Sequence, residues 1–195
     1  MNSDNEVLKQ AIVRTVVIAS LVIVPGLIVF GTSVFNPLLT HFEFVANGIT
    51  IAIGYAAFKA HRARDGFAAL LVWYVLLTLM IFSPIYAWSF IMEASYVIGL
   101  TGSVYFYLWV NKRRYANNRV QRMIAAALIL GLAHGLIVIF LEAVSLRVLV
   151  HPVKTFTWSY MNLRNGTVIG ILSAVGMELS DHLANSFSAH AEVAG

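Results

Sequence analysis

Long apolar runs separated by short polar connectors are the first regularity of the chain. Six of them are visible, at about 11–31, 37–58, 67–86, 89–110, 123–144 and 163–179. Each approaches the roughly 20 residues that a bilayer-spanning helix requires. The first is rich in Val and Ile, which in water suggests a strand. In lipid, a single spanning segment has to satisfy every backbone N–H and C=O internally, so a helix is expected instead. Pro25 predicts a kink about two-thirds of the way along it. The sixth run is the shortest and weakest, and five spans with a re-entrant sixth segment is the alternative reading. The fold class expected is therefore all-α, a polytopic transmembrane helical bundle. Residues 1–10 form a polar N-terminal segment carrying Asp4, Glu6 and Lys9. The apolar run behind it is too long for a signal-peptide core and lacks a small-x-small cleavage site, so it is read as a retained first helix. Residues 181–195 are polar and rich in small residues, and a frayed tail is expected there.

Charge fixes the orientation. The chain has 195 residues, with 13 Lys/Arg and 9 Asp/Glu. Charged residues make up 11%, apolar residues 59%, and mean hydropathy is +0.80. A typical soluble domain carries about 25% charge. The connectors 59–64 and 111–122, together with Lys9 and Arg14, hold ten of the 13 cations. The opposite side holds Arg147, Lys154 and Arg164. The positive-inside rule then puts both termini and both basic loops in the cytoplasm. Arg14, about one turn inside the boundary, is expected to snorkel toward water. A plasma membrane, the inner membrane of a bacterium, is the expected location. The basic pI follows from these loops, so no nucleic-acid partner is implied. With no cysteine, disulfides, thiolate metal sites and S-palmitoylation are excluded.

Small residues recur at every fourth position on four runs: Gly48, Ala52 and Ala56; Ser95, Gly99 and Ser103; Ala127, Gly131 and Gly135; Gly166, Gly170 and Ala174. Such ridges let helix backbones approach closely in lipid. Packing within the chain is the first expectation, and a homodimer or another membrane partner is the second. Runs one and three lack ridges and are expected at the lipid-facing periphery. Trp and Tyr near the run ends form an interfacial belt.

The charges that topology leaves unexplained are the candidate functional residues, since ionisable groups within spans are costly without a partner. Glu43, Glu93 and Glu142 lie on three different runs near the outer face. His41 and Asn47 belong to the same layer, with Asn47 one helical turn below Glu43. Arg147, Lys154 and Arg164 are the facing cations, with His151 on the loop. These residues are read either as boundary salt bridges or as an outward-facing polar pocket for a small polar solute, with Glu43, Asn47, Glu93, Glu142, Arg147 and Arg164 as ligand-binding candidates. His134 sits near the middle of run five among small neighbours, as a core polar residue or a proton-relay candidate with His41. No metal-ligand spacing, serine-hydrolase motif or nucleotide loop is present. No catalytic residue, metal or cofactor is assigned. The size and span count are similar to those of the small membrane-embedded substrate-binding subunits of vitamin transporters and of the membrane domains of some sensors. That likeness is one of dimensions and transfers no site residue. A small-solute binding or transport subunit is the first functional expectation. A scaffold or sensor-like module acting through a partner is the second, and an intramembrane enzyme or haem protein the third.

Overall fold

The computed structural model describes the backbone over 3–30, 37–81, 87–115, 118–149 and 155–193. The side chains described fall within 4–28, 44–79, 97–113, 118–140 and 163–186. Among the described residues the chain is all-helical. Its helices are α1 (Ser3–Phe30), α2 (Pro37–Lys59), α3 (Ala63–Ile81), α4 (Ala87–Val110), α5 (Arg119–Leu149) and α6 (Thr155–Val193). A single π-helical turn, Asn111–Tyr115, follows α4.

Local chemistry accounts for the helix ends. Asn118 caps α5, its Oδ1 accepting from the Gln121 N–H at 3.1 Å, which satisfies one of the unpaired donors of the first turn. α2 ends in a Schellman motif. The His61 N–H bonds Phe58 O and the Arg62 N–H bonds Ala57 O, both at 3.0 Å. His61 takes φ 54°, the left-handed conformation that glycine normally supplies at this position. Just beyond the turn, a Cβ on Gly66 would collide with the Ala57 side chain. The α2–α3 hairpin closes tightly for that reason.

α2 is the central helix and touches α1, α3, α4 and α6. α1 and α5 both pack along α6, and α4 bridges α2 to α5. The main core joins Ile18 and Val22 of α1, Phe44, Ile51 and Tyr55 of α2, Val104 and Leu108 of α4, Leu130 of α5, and Ile169 and Met177 of α6. A second core ties α3 to α2 and α4 through Leu70, Trp73, Leu77 and Val97. There the buried Trp73 indole donates to Thr50 Oγ1 at 3.2 Å.

The small-residue ridges meet one another. On α6, a Cβ at Gly166 would lie 2.7 Å from Gly131 O, and one at Gly170 would collide with Ala127 O. The α5 and α6 backbones are therefore in direct contact, the arrangement that small-xxx-small patterns permit. Gly48 faces Val22 and Ile23 of α1, and Gly99 faces Ile137 of α5. All of these contacts lie within one chain.

Two expectations change. The sixth run, read as the shortest and as a candidate re-entrant segment, belongs to the longest of these helices, with 39 residues in one continuous stretch. Its hydrophobicity is low because its inner face is built from Gly, Ala and Ser that fit against α5. The stretch after Asp181, expected to fray, continues α6 to Val193 with Ala184 fully buried. No Gly or Pro occurs before Gly195 to stop it. α1, like α3, keeps an outward face, with Ile12, Val16, Val24 and Ile28 each more than half exposed. It runs unbroken through Pro25, and Gly26 leaves the space that Phe44 of α2 fills. α3 lies at the edge, exposing Phe67, Leu71, Val72, Val75 and Leu79.

Among the described residues two stretches, Asp4–Ile28 and Arg119–Ile137, are long and apolar enough to cross a membrane. Only 22% and 28% of their apolar windows are buried, so neither is the enclosed core helix of a water-soluble protein. Leu, Ile and Val at 12, 16, 24 and 28 on α1, and at 120, 124, 128, 132 and 136 on α5, project outward. Soluble monomers rarely leave apolar stripes of that extent in water, which supports a membrane location.

Candidate functional site

Two polar layers cross the bundle. The inner one forms where α1 begins, α2 ends and α6 passes between them. Asp181 accepts from Arg14 Nε at 2.8 Å, Lys59 Nζ at 2.6 Å and the Tyr55 hydroxyl at 2.9 Å. Three residues earlier on the same face of α6, Glu178 accepts from Arg122 Nε at 2.8 Å and Nη2 at 3.0 Å. Arg119 lies 3.4 Å from the same carboxylate. The Arg122 contact is bidentate, the strongest form of such a pair. Burial pushes the Asp181 carboxyl up, and the hydrogen bonds from Lys59, Arg14 and Tyr55 outweigh that effect, holding it below the usual aspartate value. Arg14 does not snorkel. It is 6% exposed and turned inward, because a carboxylate on α6 offers it more than the water it would otherwise reach.

The second layer is uncharged where it is buried. Asn47 of α2 and His134 of α5 both have 0% exposure. His134 Nδ1 lies 3.3 Å from Asn47 Oδ1, and with that oxygen as acceptor the ring donates through Nδ1. Gly166 of α6 lies against the edge of the imidazole: a Cβ there would sit 2.9 Å from His134 Cδ2. Asn165, next to it, is 2% exposed. Its Oδ1 accepts from Arg164 Nε at 3.2 Å and Nη2 at 3.0 Å. Asn47 is twelve residues from Lys59, and His134 twelve from Arg122. At 1.5 Å per residue the two layers are about 18 Å apart, roughly half the thickness of a hydrocarbon core plus a turn.

The sequence candidates sort accordingly. Asn47, grouped by spacing with Glu43, is joined to His134, so two residues read as separate features form one buried pair across α2 and α5. Arg164 stands beside Asn165 on α6. His41, Glu43, Glu93, Glu142 and Arg147 lie toward the ends of α2, α4 and α5 remote from the ion pairs, and their side chains fall outside the described residues. Asp181 pairs with Arg14 and Lys59, and Glu178 with Arg119 and Arg122, so cations that set the topology in the sequence also close this layer. Tyr55, Lys59 and Asn165 are participants that sequence reading passed over. The available signal was the spacing of Glu178 and Asp181, which gives one α6 face two acids directed at helix ends rich in Lys and Arg.

Among the described residues no group of three or more His, Asp or Glu is placed to hold a metal ion. No protein-family model, curated protein or solved structure matches the chain, so function has to be argued from the two layers themselves.

Proposed function

We propose that the chain is a six-span protein of the bacterial inner membrane, with both termini cytoplasmic. In this reading it is a binding or transport subunit that takes a small polar solute in a pocket open to the outer face. The observation that carries the proposal is the Asn47–His134 pair, dry and uncharged across two helices, with Glu43 one helical turn above it on α2. Polar groups at such depth are expensive, and in membrane proteins they mark solute or ion paths. The inner layer supports the direction of opening. Its ion pairs tie α1, α2, α5 and α6 together at the cytoplasmic end, which closes that side. Ten cations on that side and three on the other supply the orientation.

On this reading Asn47, His134 and Asn165 form the floor of the pocket. Glu43, Glu93, Glu142, Arg147 and Arg164 supply its charged wall, which would recognise a solute bearing both amine and carboxylate or amide groups. The test is thermal unfolding of the reconstituted protein against a panel of amino acids, nucleobases, sugars and water-soluble vitamins. A binding solute raises Tm. Glu43→Gln and Arg164→Ala remove that rise while leaving the solute-free Tm within a few degrees. If no solute raises Tm and both variants unfold, the polar residues serve structure alone.

A further inference from the structure

A groove opens on the exposed side of the bundle between α3 and α4. Phe67, Leu70, Leu71 and Tyr74 of α3 and Val97 and Ile98 of α4 line this groove of about 300 Å³. Phe67 and Ile98 are each 70% exposed, and Gly102 on the same side of α4 has nothing within 4 Å of the space a Cβ would take. The groove walls are almost wholly apolar. Its cytoplasmic end is not. Arg64, Phe67, Leu71 and Tyr74 follow one helical stripe of α3, so the exposed Arg64 continues the line of the groove. On α4 the outward stripe Ile98, Gly102, Phe106 and Trp109 ends at Arg113, whose guanidinium stacks 4.4 Å from the centre of the Trp109 ring. Phe106 stacks in turn on Trp109, with ring centroids 6.0 Å apart. A tryptophan that carries an arginine at a helix end is the arrangement expected at headgroup depth. Arg62, by contrast, is committed to Asp4 and Asp65.

We propose that the α3–α4 groove is a binding site for an anionic phospholipid of the inner leaflet. One acyl chain lies against Phe67, Leu71 and Ile98, and the phosphate is held between Arg64 and Arg113. Charge complementarity selects this occupant: an apolar trough that ends in two exposed guanidiniums matches an amphiphile with a tail and a negative head. A transmembrane partner helix would fill the trough but leave both cations unanswered. The assignment rests on the membrane orientation proposed above.

The experiment compares full-length protein reconstituted in bilayer discs of equimolar phosphatidylglycerol and phosphatidylcholine, released into mild detergent, with retained lipid measured by native mass spectrometry. Wild type is expected to keep phosphatidylglycerol in preference. Roughly fivefold is expected for each guanidinium, and so about 25-fold for the pair. The Arg64→Gln/Arg113→Gln double variant brings the preference near one. Leu71→Trp, which fills the trough, lowers retention of both lipids, whereas Val72→Trp on the neighbouring exposed face does not. An unchanged preference in the double variant, or unchanged retention in Leu71→Trp, overturns the site. Should Leu71→Trp fail to fold, Ile98→Trp makes the same test from the opposite wall. Sided labelling of the Arg113→Cys variant separates the two proposals. Label from the cytoplasmic side alone, with no lipid preference, sinks the lipid site and leaves the topology standing. Label from the outer side sinks both.

Discussion

At one end of the bundle, Arg14, Lys59 and Tyr55 converge on one carboxylate of α6 and Arg122 clasps another. About 18 Å along the same helices, Asn47 and His134 meet with no ionised group between them and no exposed surface. The inner layer keeps partial access to water. Asp181 retains a quarter of its side-chain exposure and Lys59 about a third, so the ions there keep part of their hydration while pairing. The middle layer has none, and ionised groups placed there would lose the full hydration energy without repayment. A histidine–asparagine pair is what a dry site tolerates, since each group brings a donor and an acceptor. Position relative to water decides which chemistry each layer uses. It also separates what they do in the fold: the charged layer fastens helix ends, and the uncharged one joins α2 to α5 in the buried interior.

Both layers depend on α6 lying against α5, and the largest effect is expected where that contact is broken. Gly170→Leu places a side chain into Ala127 O and the Gly131 backbone, which cannot rotate aside. A loss of about 3 kcal/mol is expected, the upper range for overpacking, measured by denaturant titration in mixed micelles. An outcome within about 0.5 kcal/mol of wild type would mean that the helices are not in contact there.

Asp181→Asn comes next. It removes the charge shared by Arg14 and Lys59 and strands the buried Arg14, costing about 2 kcal/mol in the same titration. The pH dependence follows from sign. Asp181 is held below its ordinary value, so its contribution is present above the unfolded aspartate value of about 4 and is lost as pH falls through the folded one. Wild type should lose stability below about pH 4, and Asp181→Asn should show a shallower acid limb.

A smaller loss, about 1 kcal/mol, is expected for Asn47→Ala, which leaves His134 Nδ1 without its acceptor. Combined with His134→Ala the two losses should fall short of additivity, because the second substitution removes the group that the first one orphaned. Additive losses would mean the 3.3 Å contact carries no energy. The smallest effect belongs to the turn. His61→Gly relieves the left-handed backbone but adds chain entropy to the unfolded state, for a net gain of about 0.5 kcal/mol.

How far the sequence disclosed this arrangement varies by element. The helices were readable because apolar runs of this length admit little else. The ridges at Gly131 and Gly166 foretold close packing, since only glycine allows backbones so near. The fate of Arg14 was hidden, because spacing gives depth but not the neighbour across the bundle. The same blindness separated Asn47 from His134, 87 residues apart in the chain. The length of α6 was masked by its composition: Gly, Ala and Ser score as weakly hydrophobic but are what a helix needs when it is packed against another backbone.

Sided labelling tests the account most directly, and the absence of native cysteine makes it clean. Single variants Arg164→Cys and Arg113→Cys, in intact cells, are exposed to a membrane-impermeant maleimide. The account predicts that Arg164→Cys is labelled from outside and Arg113→Cys only after the cytoplasmic face is opened. Labelling of both from the same side, or of Arg164→Cys only from the cytoplasm, would contradict the outward-facing pocket.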